Sequence, residues 1–499
     1  MARFINFQAS ICVIFGFAAP AWADVTPEDV WQNWQDMGTQ MGQAIVAGKT
    51  ARDGDRLTIS DVTIASSAGG VTAESSIAEL VMQDQGDGTV KVTMSPDYPI
   101  KMRLPAPEAG QPEVEMNITV TSTDLVMLAS GSPEAISYDL AAPTLGIKLQ
   151  RIEGVDSQAA GLTLNATFSD MAGVYATQMV GGKMTADSNL TVKGIAIAST
   201  GSNPAEQSDV NLTAAITDVA IVSKGALLGA LAGTGVAADM LANLDSQSKI
   251  TAQAFEFDAE VLDANGSTTL KGTAGAMLVD SSITGGVMAY DTTQEALALT
   301  INSPSIPVPD VAVTLDAISF AVTSPLAPSD NAQPFAFVTK LVNLGLSDQI
   351  WAIFDPSGQL PRDPINLVID ADGMAKVNGA NAGAQGALPA DLQSLNLKEL
   401  RLGIAGAELR GSGASTFAAG AGGMPDPNAK LDFTLKGANA LMDKVVAAGL
   451  IPPEALTMPR MMLAMVARQA ADGSDSYTST VEIKNKSIFA NGQKLHQME

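Results

Sequence analysis

The chain has 499 residues, with 28 Lys and Arg against 53 Asp and Glu, a formal net charge of −25. That balance excludes nonspecific nucleic-acid binding and argues against docking on anionic lipid, since both need Lys/Arg patches. Aromatic residues make up 5% and charged residues 16%, so a sequence rich in Gly, Ala, Thr, Val and Ser reads as mostly β with a few apolar helices.

Residues 1–23 read as a cleaved secretory signal: Arg3 gives a positive start, Ile11–Phe17 is apolar, and Ala21-Trp22-Ala23 is a small-x-small cleavage site. The expected mature chain begins at Asp24 and works in the periplasm or outside the cell. Cys12, the one cysteine, falls inside this segment and away from the cleavage site, so no lipid-modified cysteine is expected. Without Arg3 the balance is 27 basic to 53 acidic residues, a net charge near −26. An exported chain that dispenses with disulfides, and is long enough to bury a core without them, points to a bacterial envelope. The Asn-x-Ser/Thr sites at Asn117, Asn165, Asn189, Asn211 and Asn265 are then accidents of a Thr-rich β sequence. No later stretch has the roughly eighteen uncharged apolar residues of a membrane span, so no transmembrane segment is expected in the mature chain.

Thr26-Pro27-Glu28-Asp29 opens a helix, assigned to residues 24–50. Thr26 is its cap, Pro27 lies in the first turn and Asp29 stands in the capping-box position. Val30, Trp31, Trp34, Met37 and Met41 give it one apolar face to pack over a sheet. Gly48 and Asp53-Gly54 end the helix and turn the chain into strands.

From there a short unit recurs: Leu57–Ile64, Leu190–Ile197, Val313–Phe320 and Leu395–Leu402, with a looser copy from Leu212. Apolar residues stand first, third, sixth and eighth. Strict alternation would send the second pair to the opposite face, so a β-bulge or bend at positions four and five is expected, where Asp61, Gly194 and Asp316 suit a kink. The fold class that follows is mostly β with a few helices (α+β): long bent antiparallel strands in curved, groove-forming sheets, with helices packed on them.

Three interruptions read as helical: Lys224–Leu244; Pro334–Phe354, stopped by Asp355-Pro356; and a hairpin of Ala438–Gly449 and Pro459–Ala470 around Ile451-Pro452-Pro453. Their apolar faces are wide enough for burial against a sheet. Tyr477–Lys484, a turn at Asn485-Lys486, Ser487–Ala490 and a turn at Asn491-Gly492 close the chain. Linker-like stretches at Pro105–Pro112, Gly201–Glu206, Ser324–Pro334, Gly379–Pro389 and Gly420–Pro427 accompany a division into β-rich 51–222, a helix plus middle β region over 223–333, and an α+β region over 334–499.

Chemistry is sparse. His496 is the one histidine and lies near the end of the chain, which argues against a His-based triad or zinc site. No nucleophile elbow, Walker loop or dinucleotide fingerprint occurs, and Gly411-Ser412-Gly413 reads as a turn. Asp53-Gly54-Asp55, Asp84–Gly88 and Asp370-Ala371-Asp372-Gly373 lack the spaced ligands of a calcium loop and read as hairpin turns. No residue is assigned a catalytic, cofactor-binding or metal-binding role, and no cofactor is expected.

Val25–Trp34, Ala51–Leu57, Leu346-Ser347-Asp348, Phe354-Asp355-Pro356, Leu360-Pro361-Arg362-Asp363-Pro364 and Phe489–Leu495 together resemble DUF2125, a family of exported alphaproteobacterial proteins, over nearly all of the mature chain. The resemblance implies export and no activity. The recurring unit and the closing Asn-Gly also resemble the AsmA-type envelope proteins, which implies bent sheets forming lipid grooves, although no membrane anchor like theirs is expected in the mature chain. The Leu360–Pro364 segment itself reads as a stiff extended turn tied down by Arg362 and Asp363. The expectation is a non-enzymatic protein that binds a lipid or other apolar ligand in a β groove. A scaffold that holds an envelope protein through a sheet edge and a carboxylate-based hydrolase are the alternatives.

Overall fold

The computed structural model describes residues 24–106, 112–154, 161–203, 207–225, 244–377, 390–419 and 425–497. The signal-like segment and residues 226–243 of the expected Lys224–Leu244 helix lie outside the described residues. Among them, 27 strands form one antiparallel sheet, accompanied by four short α-helices.

The order of the sheet follows the order of the chain. Ala135–Glu153 pairs with Thr163–Val180, which pairs with Lys183–Asn203, which pairs with Ser208–Gly225. In places two shorter strands share one lane. Val90–Met94 and Asp97–Leu104 both line Val71–Asp84, and Asp245–Ala252 and Ala254–Asp263 both line Ser208–Gly225. Pairing continues to the closing hairpins Ser476–Lys484, Ser487–Ala490 and Gln493–Gln497, joined at Asn485-Lys486 and Asn491-Gly492. Left-handed φ angles of 51° at Asn485, 55° at Lys486, 51° at Asn491 and 86° at Gly492 match the right-handed twist of the flanking strands.

A line of irregularities crosses the strands. Asp61, Asp124, Asp170, Asp218, Ala296 and Asn343 all have φ between 49° and 55°; Asp124 lies in the joint between strands Val114–Thr123 and Val126–Ser132, and each of the others stands where the ladder skips a residue. Ser60 pairs with Glu79 and Val62 with Ile77, leaving Asp61 and Ala78 opposite each other without pairing. Likewise Asp170 stands against Lys193, and Ala296 against Asp316. In the Leu395–Leu402 unit the pairing shifts between Leu397 and Leu400. The skipped residue reverses side-chain parity, so Leu57 and Ile59 before it and Val62 after it all reach the same core. Side chains stitch the line together at one point: Asn343 Nδ2 donates to Asp316 Oδ2 at 2.7 Å, and Asn366 Nδ2 donates to Asn343 Oδ1 at 3.2 Å.

α1 (Pro27–Gln40) starts as expected. Thr26 and Asp29 form a reciprocal capping box behind Pro27. It is shorter than 24–50, because Gly42 turns the chain at φ 72° into strands Gln43–Val46 and Lys49–Asp53. Val25 and Val30 enter a fully buried core with Ile59, Leu80, Met82 and Ile136. Beneath the helix, the Tyr138 hydroxyl donates to Asn33 Oδ1 at 2.8 Å and Asn33 Nδ2 donates to Thr177 Oγ1 at 3.1 Å, so the buried amide is satisfied.

The helix expected over Pro334–Phe354 is instead a strand, Gln333–Leu346, followed by the short α2 (Asp348–Phe354). Phe335, Phe337 and Leu341 fall on one face by alternation, and the bulge at Asn343 returns Leu344 and Leu346 to it, a pattern whose spacing imitates a helix. Strands Val311–Pro325 and Ile365–Val377 flank it and satisfy its backbone on both edges. The expected helical hairpin is present as α3 (Ala438–Ala447), a 3-10 turn at Pro453–Leu456, and α4 (Thr457–Val466). Asp53-Gly54 and Asp84–Gly88 make turns, but Asp370–Gly373 and Gly411-Ser412-Gly413 lie inside strands. There glycine permits close approach: a Cβ on Gly411 would stand 2.7 Å from the Phe433 ring.

Asp61→Val forces a β-branched side chain into left-handed backbone and is expected to lower stability by about 1–2 kcal/mol. Asp61→Gly, free of that strain, is expected to be tolerated. The urea midpoints of the two variants check this.

Candidate ligand-binding face

Cross-strand partners share a face, so the register defines a surface. Ile318, Leu341, Leu367, Leu402, Leu409, Leu435 and Tyr477 pair in succession across seven strands. Nearer the N-terminus, Phe168, Ile195, Ile216 and Phe255 form a second such row. One residue along from the first row, Ser319, Lys340, Val368, Arg401, Arg410, Thr434 and Thr478 run over the other face. One side of the sheet is therefore apolar and the other mainly polar. Next to the line of bulges, Val192, Val219 and Ala252 are buried, with Met171, Ile195, Ile216 and Met277 packed around them.

The cover over the apolar face is uneven. α1 and its core bury the N-terminal end. Beyond it the exposed apolar side chains on this face include Leu164, Val210, Val261, Ile318, Phe320 and Phe337, at 36–41% of their surface. Phe320 meets Phe337 edge-on with ring centroids 5.5 Å apart and lies 6.3 Å from Tyr290, making an aromatic step over three strands. At the C-terminal end, a cavity of about 330 Å3 opens on the same face under α4, lined by Leu409, Phe433, Leu435, Leu463, Val466 and Tyr477.

A second cavity, of about 630 Å3, occupies the polar face. Thr167, Thr213, Glu256, Asp258, Lys271 and Thr273 are among its walls. Lys271 Nζ lies 2.6 Å from Asp258 Oδ2, and this partner raises the lysine above its ordinary range.

The groups with chemical potential are otherwise engaged in structure. Lys398 bridges Asp370 at 3.4 Å and Asp372 at 2.9 Å, and Lys398 with Asn396 holds the Asp372 carboxyl below the usual range. His496 is exposed on the last strand opposite Ile488. Among the described residues, no group of three His, Cys, Asp or Glu side chains could hold a metal ion. Arg362 of the Leu360–Pro364 segment pairs with Asp348 at the start of α2.

Asp355 is the one fully buried carboxylate among the described residues. Its oxygens accept from Leu360 N at 2.7 Å, Gln359 N at 3.0 Å and Ser357 Oγ at 3.4 Å. Burial pushes its carboxyl up, but the Leu360 and Gln359 amides, the Ser357 hydroxyl and the Arg362 charge outweigh that and hold it below the usual range. Asp355 thus folds the Phe354–Pro364 turn, where sequence reasoning saw only a helix stop.

Sequence reasoning also missed the outward face of α4. Leu463 and Val466 line the cavity against the sheet, while Met458, Met461, Met462 and Met465 expose 52–59% of their surface. The signal was there: spacings of three, one and three put all four on one face, yet their hydrophobicity reads as core when the sheet's position is unknown.

The family model of DUF2125, described as an uncharacterized protein conserved in bacteria, matches residues 246–495. The match starts in strand Asp245–Ala252 and covers less than the nearly full-length resemblance expected. No curated protein and no solved structure matches the chain.

Asp355→Asn keeps the shape and loses the charge that its amide donors stabilise. A carboxyl held low in the folded state stabilises the protein above the unfolded carboxylate range of about 4, and that contribution fades as pH falls through the folded value. The variant is therefore expected to melt below wild type at neutral pH, with the gap closing in acid. Melting temperatures from pH 7 to pH 3 check it.

Proposed function

We propose that this chain, which belongs to the DUF2125 family of bacterial proteins, holds an acyl chain or similar apolar ligand along the apolar face of its sheet. The observation that carries this reading is the row of paired apolar side chains from Ile318 to Tyr477, exposed at Ile318, half-buried along its middle and ending over an apolar cavity. A sheet that only needed a core would cover that face, since large continuous apolar surfaces in water mark binding sites or liabilities.

The bulges give the sheet a reason to bend. A skipped residue kinks its strand and increases the local twist, and kinks aligned across neighbouring strands act as one crease. A sheet creased toward its apolar side becomes a trough, and a ligand lying along it would run across the strands. Each methylene taken from water contributes roughly 0.8 kcal/mol, so about ten give around 8 kcal/mol before ordering costs. Such binding needs no catalytic group, and the reading is non-enzymatic. Export to the periplasm, supported by the signal-like residues 1–23, would place the trough between two membranes. The likeness of the recurring unit to AsmA-type envelope proteins supports the same picture.

The scaffold reading has less behind it. The terminal strands of the sheet are short: Gln43–Val46 and Lys49–Asp53 at one end, Gln493–Gln497 at the other. Short edges bearing Lys49, Arg52 and Lys494 discourage strand addition.

Native mass spectrometry of the chain purified from the periplasm, with analysis of its extracted lipids, tests the proposal. A stoichiometric acyl-containing adduct is expected, reduced at least tenfold in a Phe320→Asp, Phe337→Asp variant whose circular dichroism is unchanged. A clean unliganded mass in repeated preparations would sink the tight-carrier reading and favour the scaffold.

A further inference from the structure

We infer that α4 docks the C-terminal end of the sheet onto an anionic phospholipid bilayer. Its sheet-side residues Leu463 and Val466 already line the apolar cavity. The opposite side is apolar too, with Met458, Met461, Met462 and Met465 each more than half exposed. A helix that is apolar on both sides is expected to be buried on both, and here only one side has a cover among the described residues. Leu450, in the turn between α3 and α4, is a further apolar side chain left 44% exposed at this end. Four unbranched thioethers on one face suit a fluid acyl boundary better than a rigid protein partner, because methionine repacks easily.

Charge names the bilayer. Over the whole chain acidic residues outnumber basic ones by 53 to 28, but residues 436–497 carry seven Lys and Arg against five Asp and Glu. Arg460 on α4 pairs with Asp443. Lys444 and Lys486 have no acidic partner among the described residues, and Arg468, just after the helix, donates only to the Asn491 carbonyl, at 2.9 Å. An anionic surface would repel the remainder of the molecule and attract this end, with screening confining both effects to about 10 Å. The overall acidity that speaks against lipid docking therefore becomes an orienting device: the sheet stands end-on, methionines down.

Docking stands on the helix and its charges. That it delivers lipid to the cavity rests on the apolar-ligand reading above.

Flotation with vesicles tests the docking directly. The intact chain is expected to float with vesicles of phosphatidylglycerol and phosphatidylethanolamine, to float at least tenfold less with phosphatidylcholine alone, and to lose binding as salt rises. Met461→Asp, Met462→Asp should cut flotation at least tenfold with circular dichroism and melting temperature unchanged. Met458→Gln, Met465→Gln, which adds no charge, should also weaken it. No flotation of the wild-type chain, or equal flotation of the variants, overturns the inference. A dimer that light scattering detects in the wild type and not in the variants would overturn it too, assigning the face to a second copy. Native mass spectra of the Met461→Asp, Met462→Asp protein separate the two readings. An acyl adduct retained without flotation isolates the docking step, whereas wild-type flotation without any adduct leaves docking standing and removes the carrier.

Discussion

A strand offers its side chains to two faces in strict alternation, and one residue out of register exchanges those faces for everything beyond it. This constraint governs the molecule. An apolar face can survive a slip only if neighbouring strands slip at the same level, and they do: Asp61, Asp124, Asp170, Asp218, Ala296 and Asn343 take left-handed backbone where their ladders skip or, at Asp124, where one strand gives way to the next. Four of the six are aspartate and one is asparagine. Short polar side chains tolerate this region at the least cost after glycine. Were one strand to slip alone, its second half would put polar residues into the apolar row and Val or Ile into water.

Stability is distributed unevenly as a result. The N-terminal end has a conventional filled core, with α1 closing over Ile59, Leu80 and Met82 and its one buried amide satisfied by Tyr138 and Thr177. Farther along, the sheet depends on backbone pairing and on side chains crowded near the bulges, and the apolar face is left partly wet. Cross-strand ion pairs such as Lys193–Asp218 and Lys271–Asp258 are exposed and contribute little to stability. Their effect is to keep the other face polar, which discourages the sheet from stacking on that side. The two ends differ in kind: one is sealed by a capped helix over a dry core, the other by α4 over an open apolar cavity.

Several features were readable from the sequence because they are local. The Thr26-Pro27-Asp29 cap, the Asp53-Gly54 and Asn485-Lys486 turns, and the closing hairpin depend on residues within a few positions of one another. The bulge was legible as well, since Leu57, Ile59, Val62 and Ile64 cannot share a face without one. The strand Gln333–Leu346 was not. Its bulge at Asn343 spaces apolar residues as a helix would, and only neighbours on both edges decide between the two. Asp370–Gly373 and Gly411–Gly413 failed for a related reason, because a Gly beside a polar residue marks a turn only where no third strand lies across it.

By itself the sequence determined the period of the strands, the slip at Asp61 and the scarcity of catalytic groups, all properties of residues against their own backbone. Which face of each element is covered was decided only by the tertiary structure. Met458 and Leu463 are equally apolar and lie on one helix, yet one faces a cavity wall and the other faces water. Hydrophobicity is a property of the side chain, whereas burial depends on what long-range pairing brings against it, and that contact is written in no single segment.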